Sequence, residues 1–316
     1  MAKLIVLCGL PGSGKSSYAE CIQNYSDLFS DCPESEVAIH SSDAIRKELF
    51  GDPGFQGDNA KVFETLHKRV KEDLRAGKIV VYDATNITRK ARRGAIACAH
   101  PTNDTIECHI VWTEPEECIR RDSLRDRKVG PGVIDKMLRR WQSPWKDEGF
   151  DKIELVLYQP DFEPLKYIAQ SVAKMQIPHD NPHHQLGVWE HCQAAQEYIN
   201  KYLDELSAED RHNRRALDTA AMMHDIGKPY TKFFKPGEDI AHYYDHHCVG
   251  GYLAYGLFLR PDAHSLPSWE LDHACFVSWM ISNHMEGFFN SSYYQTLNPQ
   301  WKWYLDVLHE ADVNAH

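Results

Sequence analysis

A glycine-rich octet, Gly9-Leu10-Pro11-Gly12-Ser13-Gly14-Lys15-Ser16, lies between an apolar run and a helical one, and it narrows the folds open to this chain more than any other feature. Leu4, Ile5, Val6 and Leu7 form the short continuous apolar segment that a strand buried on both faces requires, and Ser17, Tyr18 and Ala19 begin a helix. Strand, glycine turn and helix together bring backbone N–H groups onto phosphate oxygens at a positive helix N-terminus. The candidate nucleotide-binding residues are therefore Gly12, Ser13, Gly14, Lys15, Ser16 and Ser17. Lys15 is placed to reach the β- and γ-phosphates and the Ser16 hydroxyl to hold Mg²⁺, so ATP and Mg²⁺ are the expected cofactors.

With 316 residues, 42% of them hydrophobic, the chain has material for two domains, each with its own core. A formal net charge of -11 argues against sequence-blind coating of nucleic acid by the whole surface but leaves room for local basic patches. No run approaches the roughly twenty apolar residues of a membrane span, and Met1-Ala2-Lys3 is followed too soon by the octet for a signal peptide, so a cytoplasmic protein is expected. The nine cysteines include no CxxC pair and lie mostly among apolar neighbours, as reduced buried thiols do. Of the eighteen histidines, only His40, His67, His100 and His109 precede residue 160. This shift predicts a first domain over 1–160, a linker over 161–182 with turn signals at Pro160 and Pro182, and a second domain over 183–316.

Strand-like runs in the first half, Leu4–Leu7, Val37–His40, Ile79–Tyr82, Ile106–Trp112 and Ile153–Leu157, alternate with helical patterns and predict an α/β parallel sheet. Ligands of such sheets bind at the carboxyl ends of strands. Asp43, after the second run, either accepts the proton of a hydroxyl attacking the γ-phosphate, with Arg46 one turn on for the acceptor's phosphate, or caps a helix. Asp83, after the third, is a candidate to orient Mg²⁺, while Thr85 and Asn86 suit either binding or a turn. Arg121, Arg125 and Lys128 fall at i, i+4 and i+7, and Gly130-Pro131-Gly132 follows; a basic helix with a flexible end suits a lid over ATP, although the interleaved Asp122 and Asp126 also suit a solvated face.

Gly9 to Ser17, Ser42-Asp43-Ala44-Ile45-Arg46, Asp83-Ala84-Thr85-Asn86 and Arg121-Asp122-Ser123-Leu124-Arg125 together resemble the kinase domain of polynucleotide 5′-hydroxyl kinases of the bacteriophage and bacterial RNA-repair type. The resemblance covers about the first half of the chain. It implies Asp43 as general base, Arg46 as ligand of the acceptor's 3′-phosphate, and Arg121 and Arg125 as lid residues on ATP. The chain departs from that pattern with Asp122 where Asn is frequent, and Gly130-Pro131 where Val-Pro is.

From Trp189 onward the pattern is helical throughout. Ala216 to Asp225 is an apolar helix ending in His224-Asp225, with Ile226-Gly227-Lys228-Pro229 as its stop. His191, His224, Asp225, His246, His284 and Asp312 each lie on or beside an apolar helical segment, and imidazoles and carboxylates converging in an interior are costly to bury unless they bind a metal or one another. His242 and His247 compete with His246 for its place. His183 and His184 are linker residues or line a pocket entrance, and His179 has no spacing argument. The ordered set resembles the HD superfamily of metal-dependent phosphohydrolases from about Gly187 to the C-terminus. That resemblance implies an all-α domain in which His191, His224, Asp225 and Asp312 hold one metal, and Asp225 bridges to a second bound by His246 and His284. Lys228 contacts a substrate phosphate or merely suits a helix C-terminus. The donors accept Mn²⁺, Fe²⁺, Co²⁺, Ni²⁺ or Zn²⁺.

The two resemblances imply a bifunctional enzyme that phosphorylates 5′-hydroxyl ends and clears 3′-phosphate or 2′,3′-cyclic phosphate ends. Its expected partners are nucleic-acid ends, RNA before DNA, and an RNA ligase acting after it. A small-molecule kinase fused to a nucleotidase, or a regulatory nucleotide-binding module with a structural metal, are the alternatives.

Overall fold

The structure, a computed structural model, describes residues 2–25, 36–55, 57–100, 104–182, 185–203, 211–260 and 266–315. His183 and His184 lie outside the described residues. The chain divides into two compact units: Met1–Met137 with Pro144–Pro160, and Leu138–Ser143 with Asp161–His316.

In the first unit the five apolar runs form strands β1 (Lys3–Cys8), β2 (Val37–Ser41), β3 (Ile79–Asp83), β4 (Thr105–Trp112) and β5 (Lys152–Leu157). They make one parallel sheet in the order β2-β3-β1-β4-β5. Helices α1 (Lys15–Asn24), α2 (Ser42–Phe50), α3 (Asn59–Arg75), α4 (Arg89–Ile96), α5 (Pro115–Ser123) and α6 (Pro131–Leu138) connect them. Nearly every β1 residue is buried because helices cover both sheet faces. On one face Ile5 and Leu7 of β1 and Ile79 and Val81 of β3 pack with Ala19 and Ile22 of α1. α3 buries the stripe Val62, Leu66, Val70 and Leu74 at four-residue spacing, and Asp58 caps it by accepting from the Lys61 N–H at 3.0 Å. The central β1, between β3 and β4, delivers the glycine octet to the carboxyl edge of the sheet, where the strand order changes direction.

The second unit contains α7 (Pro164–Met175), α8 (Val188–Leu203), α9 (Arg211–Met223), α10 (Lys228–Thr231), α11 (His246–Ala254), α12 (Ser268–Asn283), α13 (Ser292–Thr296) and α14 (Pro299–Asn314). Two sequence expectations change here. The stretch 161–182 is not a plain linker: α7 occupies much of it, with Pro164 in its first turn and Tyr167, Ser171 and Met175 on the buried face. Nor is the unit purely helical, because β6 (Phe233–Phe234) and β7 (Ala241–His242) pair antiparallel as a short ribbon. α12 is the core helix, with every residue from Ala274 to Asn283 buried. The 138–143 segment belongs to this unit because Trp141 is fully buried with its ring edge-on to Tyr252 and Tyr255, and Ser143 joins a buried hydroxyl network with Ser278.

Candidate functional site

At the carboxyl end of β1, Gly14 has φ 97°, a left-handed conformation, and a Cβ there would strike the Tyr158 ring. Gly12 has φ 84° and lies against the Cys118 carbonyl. These contacts draw the backbone of 9–14 into a concave loop ahead of α1. Lys15 is buried, and its ammonium donates to the Leu10 carbonyl at 2.7 Å across the loop. Burial pulls its pKa below the ordinary lysine value, while the Asp83 carboxylate opposes that. Ser16 Oγ donates to Asp83 Oδ2 at 3.0 Å, which joins the two residues expected to handle Mg²⁺. The Ser13 hydroxyl is buried with no hydrogen-bond partner among the described residues, and Ser17 opens the exposed side of α1. A glycine loop at a helix N-terminus, an orphaned hydroxyl and a hydroxyl–carboxylate pair fit a nucleoside triphosphate with Mg²⁺.

Asp43 stands in the first turn of α2, which Ser41 flanks without a side-chain cap. Its carboxylate is more than half exposed and is held by Arg46 Nη1 at 2.7 Å and Arg127 Nη1 at 3.4 Å. Arg46 is itself buried, donates its other nitrogen to Asn59 Oδ1 at 3.0 Å, and keeps Nε without a partner. Arg127 and Asn59 carried no motif in the sequence, because only three-dimensional proximity, of Arg127 to Asp43 and of Asn59 to Arg46, gives them a role.

The basic lid helix differs from expectation. α5 ends at Ser123, so Arg121, Arg125 and Lys128 do not share one helical face. Asp122, almost fully buried, accepts from the Val129 and Gly130 N–H groups at 2.8–3.0 Å and folds the chain back on itself. Arg121 donates to Glu117 at 2.7 Å, while exposed Arg125 is close enough for its charge to depress the Lys15 pKa. Thr85 and Asn86 make the turn. The Thr85 carbonyl accepts from the Gly9 N–H at 3.0 Å, and Asn86, at φ 46°, donates its side-chain amide to the Leu7 carbonyl at 2.7 Å. Arg92 of the basic run after Asp83 is fully buried and doubly bonded to Glu148 at 2.7 and 2.8 Å, so it supports the fold rather than a ligand.

In the second unit α8, the end of α9, the start of α11, the end of α12 and α14 bring six residues together. His191 Nε2 lies 2.9 Å from Asp312 Oδ1 and 3.3 Å from His224 Nε2. Asp225 Oδ2 is 3.4 Å from His224 Nε2 and 3.7 Å from His191 Nε2, while Oδ1 is 3.4 Å from His246 Nε2. His246 and His284 face each other, Nε2 to Nε2, at 3.2 Å. Two groups, His191/His224/Asp312 and Asp225/His246/His284, therefore each hold three donor atoms within 4.8 Å of one another. The chain departs from a regular turn to achieve this, since Asp245 before α11 takes φ 64°. Gly227 is needed because a Cβ there would strike the His246 carbonyl.

The other ring nitrogens explain the orientation. His191 Nδ1 faces the Ala315 carbonyl at 2.9 Å, and Nδ1 of His224, His246 and His284 face the Ala221, Tyr243 and Ile281 carbonyls at 2.8 Å each. A carbonyl only accepts, so each Nδ1 carries a proton and each Nε2 of a neutral ring points a lone pair inward. Burial is the chief cause that pushes His246 down to about 4 and His284 to about 3, which keeps both neutral. Burial alone would lower His224 too, but Asp225 beside it lifts it well above its ordinary value. Asp225 and Asp312 are held well below the carboxylate range despite burial, by Lys228 with His224 and by His191 with His224 respectively. The inward-facing Nε2 atoms and carboxylate oxygens, grouped within 4.8 Å of one another, form a donor set that fits divalent transition metal.

Lys228 lies in the first turn of α10, buried, and not at an exposed helix C-terminus. Its ammonium is 2.6 Å from Asp225 Oδ2 and 3.0 Å from His179 Nε2. His179, for which spacing offered no role, is buried beside the cluster, with Nδ1 on the Leu186 carbonyl at 2.8 Å and its own carbonyl accepting from the Tyr243 hydroxyl. Of the competitors for the His246 position, His242 turns to Glu238 at 3.0 Å, and His247 packs edge-on against His246 and His284. A cavity of about 530 Å³, lined by Asp225, Lys228, His246 and Asp312 among others, opens onto the cluster.

Residues 4–144 match a protein-family model described as an AAA domain. The Xenopus laevis protein KTI12 homolog is 24% identical over 181 residues, which is 56% of this chain and 64% of that protein. Shikimate kinase of Chlamydia pneumoniae is 33% identical over 87 residues, 26% of this chain and 49% of the kinase. The chain thus spans less than two thirds of the length of either relative. Among solved structures, the Pnkp1/Rnl/Hen1 RNA repair complex aligns with a TM-score of 0.37 at 22% identity, over 44% of this chain and 43% of that one. The Mycobacterium tuberculosis APS kinase CysC, in complex with AMPPNP and APS, aligns with a TM-score of 0.36 at 22% identity, over 54% and 95%. The matched stretch covers most of the first unit, in which the glycine octet stands on a five-stranded parallel sheet. No helix among the described residues is long and apolar enough to cross a membrane.

Proposed function

We propose that this chain is a bifunctional nucleic-acid end-healing enzyme: an ATP-dependent 5′-hydroxyl polynucleotide kinase in the first unit and an HD-type 3′-phosphatase or 2′,3′-cyclic phosphate phosphohydrolase in the second. The observation that carries the reading is the exposed Asp43 carboxylate between Arg46 and Arg127, in the unit that also holds the Lys15–Ser16–Asp83 cradle. Two guanidiniums around an acceptor base suit an acceptor that brings its own phosphodiester, which a free nucleoside lacks.

In the first unit Asp43 takes the proton of the attacking 5′-hydroxyl while Arg46 and Arg127 hold the acceptor backbone. Lys15 turns from the Leu10 carbonyl to the β- and γ-phosphates, and Ser16 with Asp83 would hold Mg²⁺, which neutralises charge on the phosphates. Arg121, released from Glu117, and Arg125 would add positive charge on the transferring phosphoryl group.

In the second unit His191, His224, Asp225 and Asp312 would hold one metal, and Asp225, His246 and His284 a second. Metals there supply a water of lowered pKa and neutralise the phosphate. Lys228 binds a phosphate oxygen, and His179 holds the ammonium by accepting one of its protons. The products, 5′-phosphate and 3′-hydroxyl, are what a ligase joins, so an RNA ligase is the expected functional partner, with RNA ends as the preferred substrate.

The test is transfer of label from ATP, offered a 5′-hydroxyl oligonucleotide and a nucleoside, alongside phosphate release from a 3′-phosphate oligonucleotide with Mn²⁺. Label on the oligonucleotide and phosphate release are expected. Label on the nucleoside alone would overturn the polynucleotide reading, and no release with any divalent metal would overturn the phosphohydrolase.

A further inference from the structure

The surface around the mouth of the 530 Å³ cavity is aromatic. Its buried floor includes Asp225, Lys228 and His246, whereas Tyr244 and Phe289, at the opening, are 55% and 63% exposed. These rings are not loose. Tyr244 leans on Phe233 and His242 at 5.4 and 5.5 Å between centroids, and Phe233 pairs with His242 across the β6–β7 ribbon. Phe289 is braced edge-on by Phe288 at 5.2 Å. Rings held in place yet left this exposed beside a cavity offer their faces to a flat ligand.

The floor and the rim restrict that partner. Lys228 and the imidazole–carboxylate cluster suit a phosphate, and the volume lies within the range of small-ligand sites. A nucleotide joins a phosphate to a flat π-face at short range, and a nucleic-acid end is the substrate of the phosphohydrolase reading. We infer that Tyr244 and Phe289 form a base-stacking rim that takes the terminal nucleobase of a strand whose phosphate lies at Lys228. The inference rests on the phosphohydrolase reading and names its substrate class: the site selects terminal phosphate next to a base, with little sequence preference, because every base offers a π-face.

The test uses the full chain with Mn²⁺ and an oligonucleotide ending in 2-aminopurine 3′-phosphate, whose fluorescence is quenched on stacking. Quenching is expected with wild type. Tyr244→Ala and Phe289→Ala should each weaken binding by about ten-fold or more, whereas Tyr244→Phe keeps it. The alanine variants should also raise KM for the oligonucleotide and leave hydrolysis of the same oligonucleotide with a base-free (abasic) 3′-phosphate end unchanged. Wild-type affinity in both alanine variants, or equal losses on the base-free ester, would overturn the rim. Displacement of the probe by an aromatic peptide but not by unlabelled oligonucleotide would overturn it by assigning the rings to a protein partner. Quenching without hydrolysis of either ester by wild type would support the rim and overturn the phosphohydrolase.

Discussion

Lys228→Met isolates the charge balance of the second unit. Lys228 is 5% exposed and Asp225 1%, with 2.6 Å between ammonium and carboxylate. At an effective dielectric constant of about 20, that separation is worth about 6 kcal/mol of Coulomb attraction, part of which only offsets the desolvation of both groups. Removing one partner of a buried pair leaves the other charge uncompensated, at about 3–5 kcal/mol. In a unit of about 160 residues the lower figure corresponds to a melting shift of roughly 6–12 °C. A bound divalent cation would take over as counter-charge for Asp225, so the loss should depend on metal. Melting in chelator should show the full deficit of Lys228→Met against wild type, and saturating Mn²⁺ should shrink it to less than half. A deficit of equal size with and without metal would refute the assignment of Asp225 as a ligand. No deficit in chelator would refute the buried ion pair itself.

Asp43→Asn should lower the rate of phosphoryl transfer about 10²–10⁴-fold while leaving the KM for ATP near wild type, because the carboxylate faces the acceptor; steady-state kinetics with a 5′-hydroxyl oligonucleotide check this, and an unchanged rate leaves Asp43 as a helix-start residue only. Gly14→Ala should abolish nucleotide binding by titration calorimetry, since the methyl meets the Tyr158 ring and the backbone is at φ 97°. Glu107 is a pH probe: burial would raise its pKa, but hydrogen bonds from His109 and Lys3 outweigh that and take it from 4.5 to about 2. The unfolded chain therefore takes up the proton first as pH falls, so about 3 kcal/mol of stability present above pH 4.5 is lost on the way to pH 2. Denaturant titrations should show this slope in wild type and a flatter one in Glu107→Gln.

Much of the first unit is legible in the sequence because continuous apolar runs have few alternatives to buried parallel strands. The expected run Ile79–Tyr82 became β3 with one residue added, and that residue, Asp83, carries the chemistry at the strand end. The octet was equally plain, since its glycines, lysine and serine are local in the chain. What escaped depends on contacts between distant residues. Asp122 stops α5 by bonding backbone groups seven and eight residues on, and a helical wheel has no means of anticipating that. Arg92 belongs to a basic run after Asp83, and only its pairing with Glu148, 56 positions away, shows that it is buried. His179 reached the cluster through Lys228 and Leu186, neither at a characteristic spacing. The aromatic ribbon β6–β7 is too short to leave a period-two pattern, so its exposed rings became visible only beside the cavity.

On the proposed reading one chain carries two chemically independent phosphate sites. The most direct measurement of this is end-group analysis of 5′-hydroxyl and 3′-phosphate oligonucleotides treated with wild type, Lys15→Ala and Asp225→Ala, each first shown to be folded. Lys15→Ala should lose 5′-phosphorylation and keep 3′-phosphate release, and Asp225→Ala should do the reverse. Loss of both activities in either folded variant, or of neither in both, would contradict that reading.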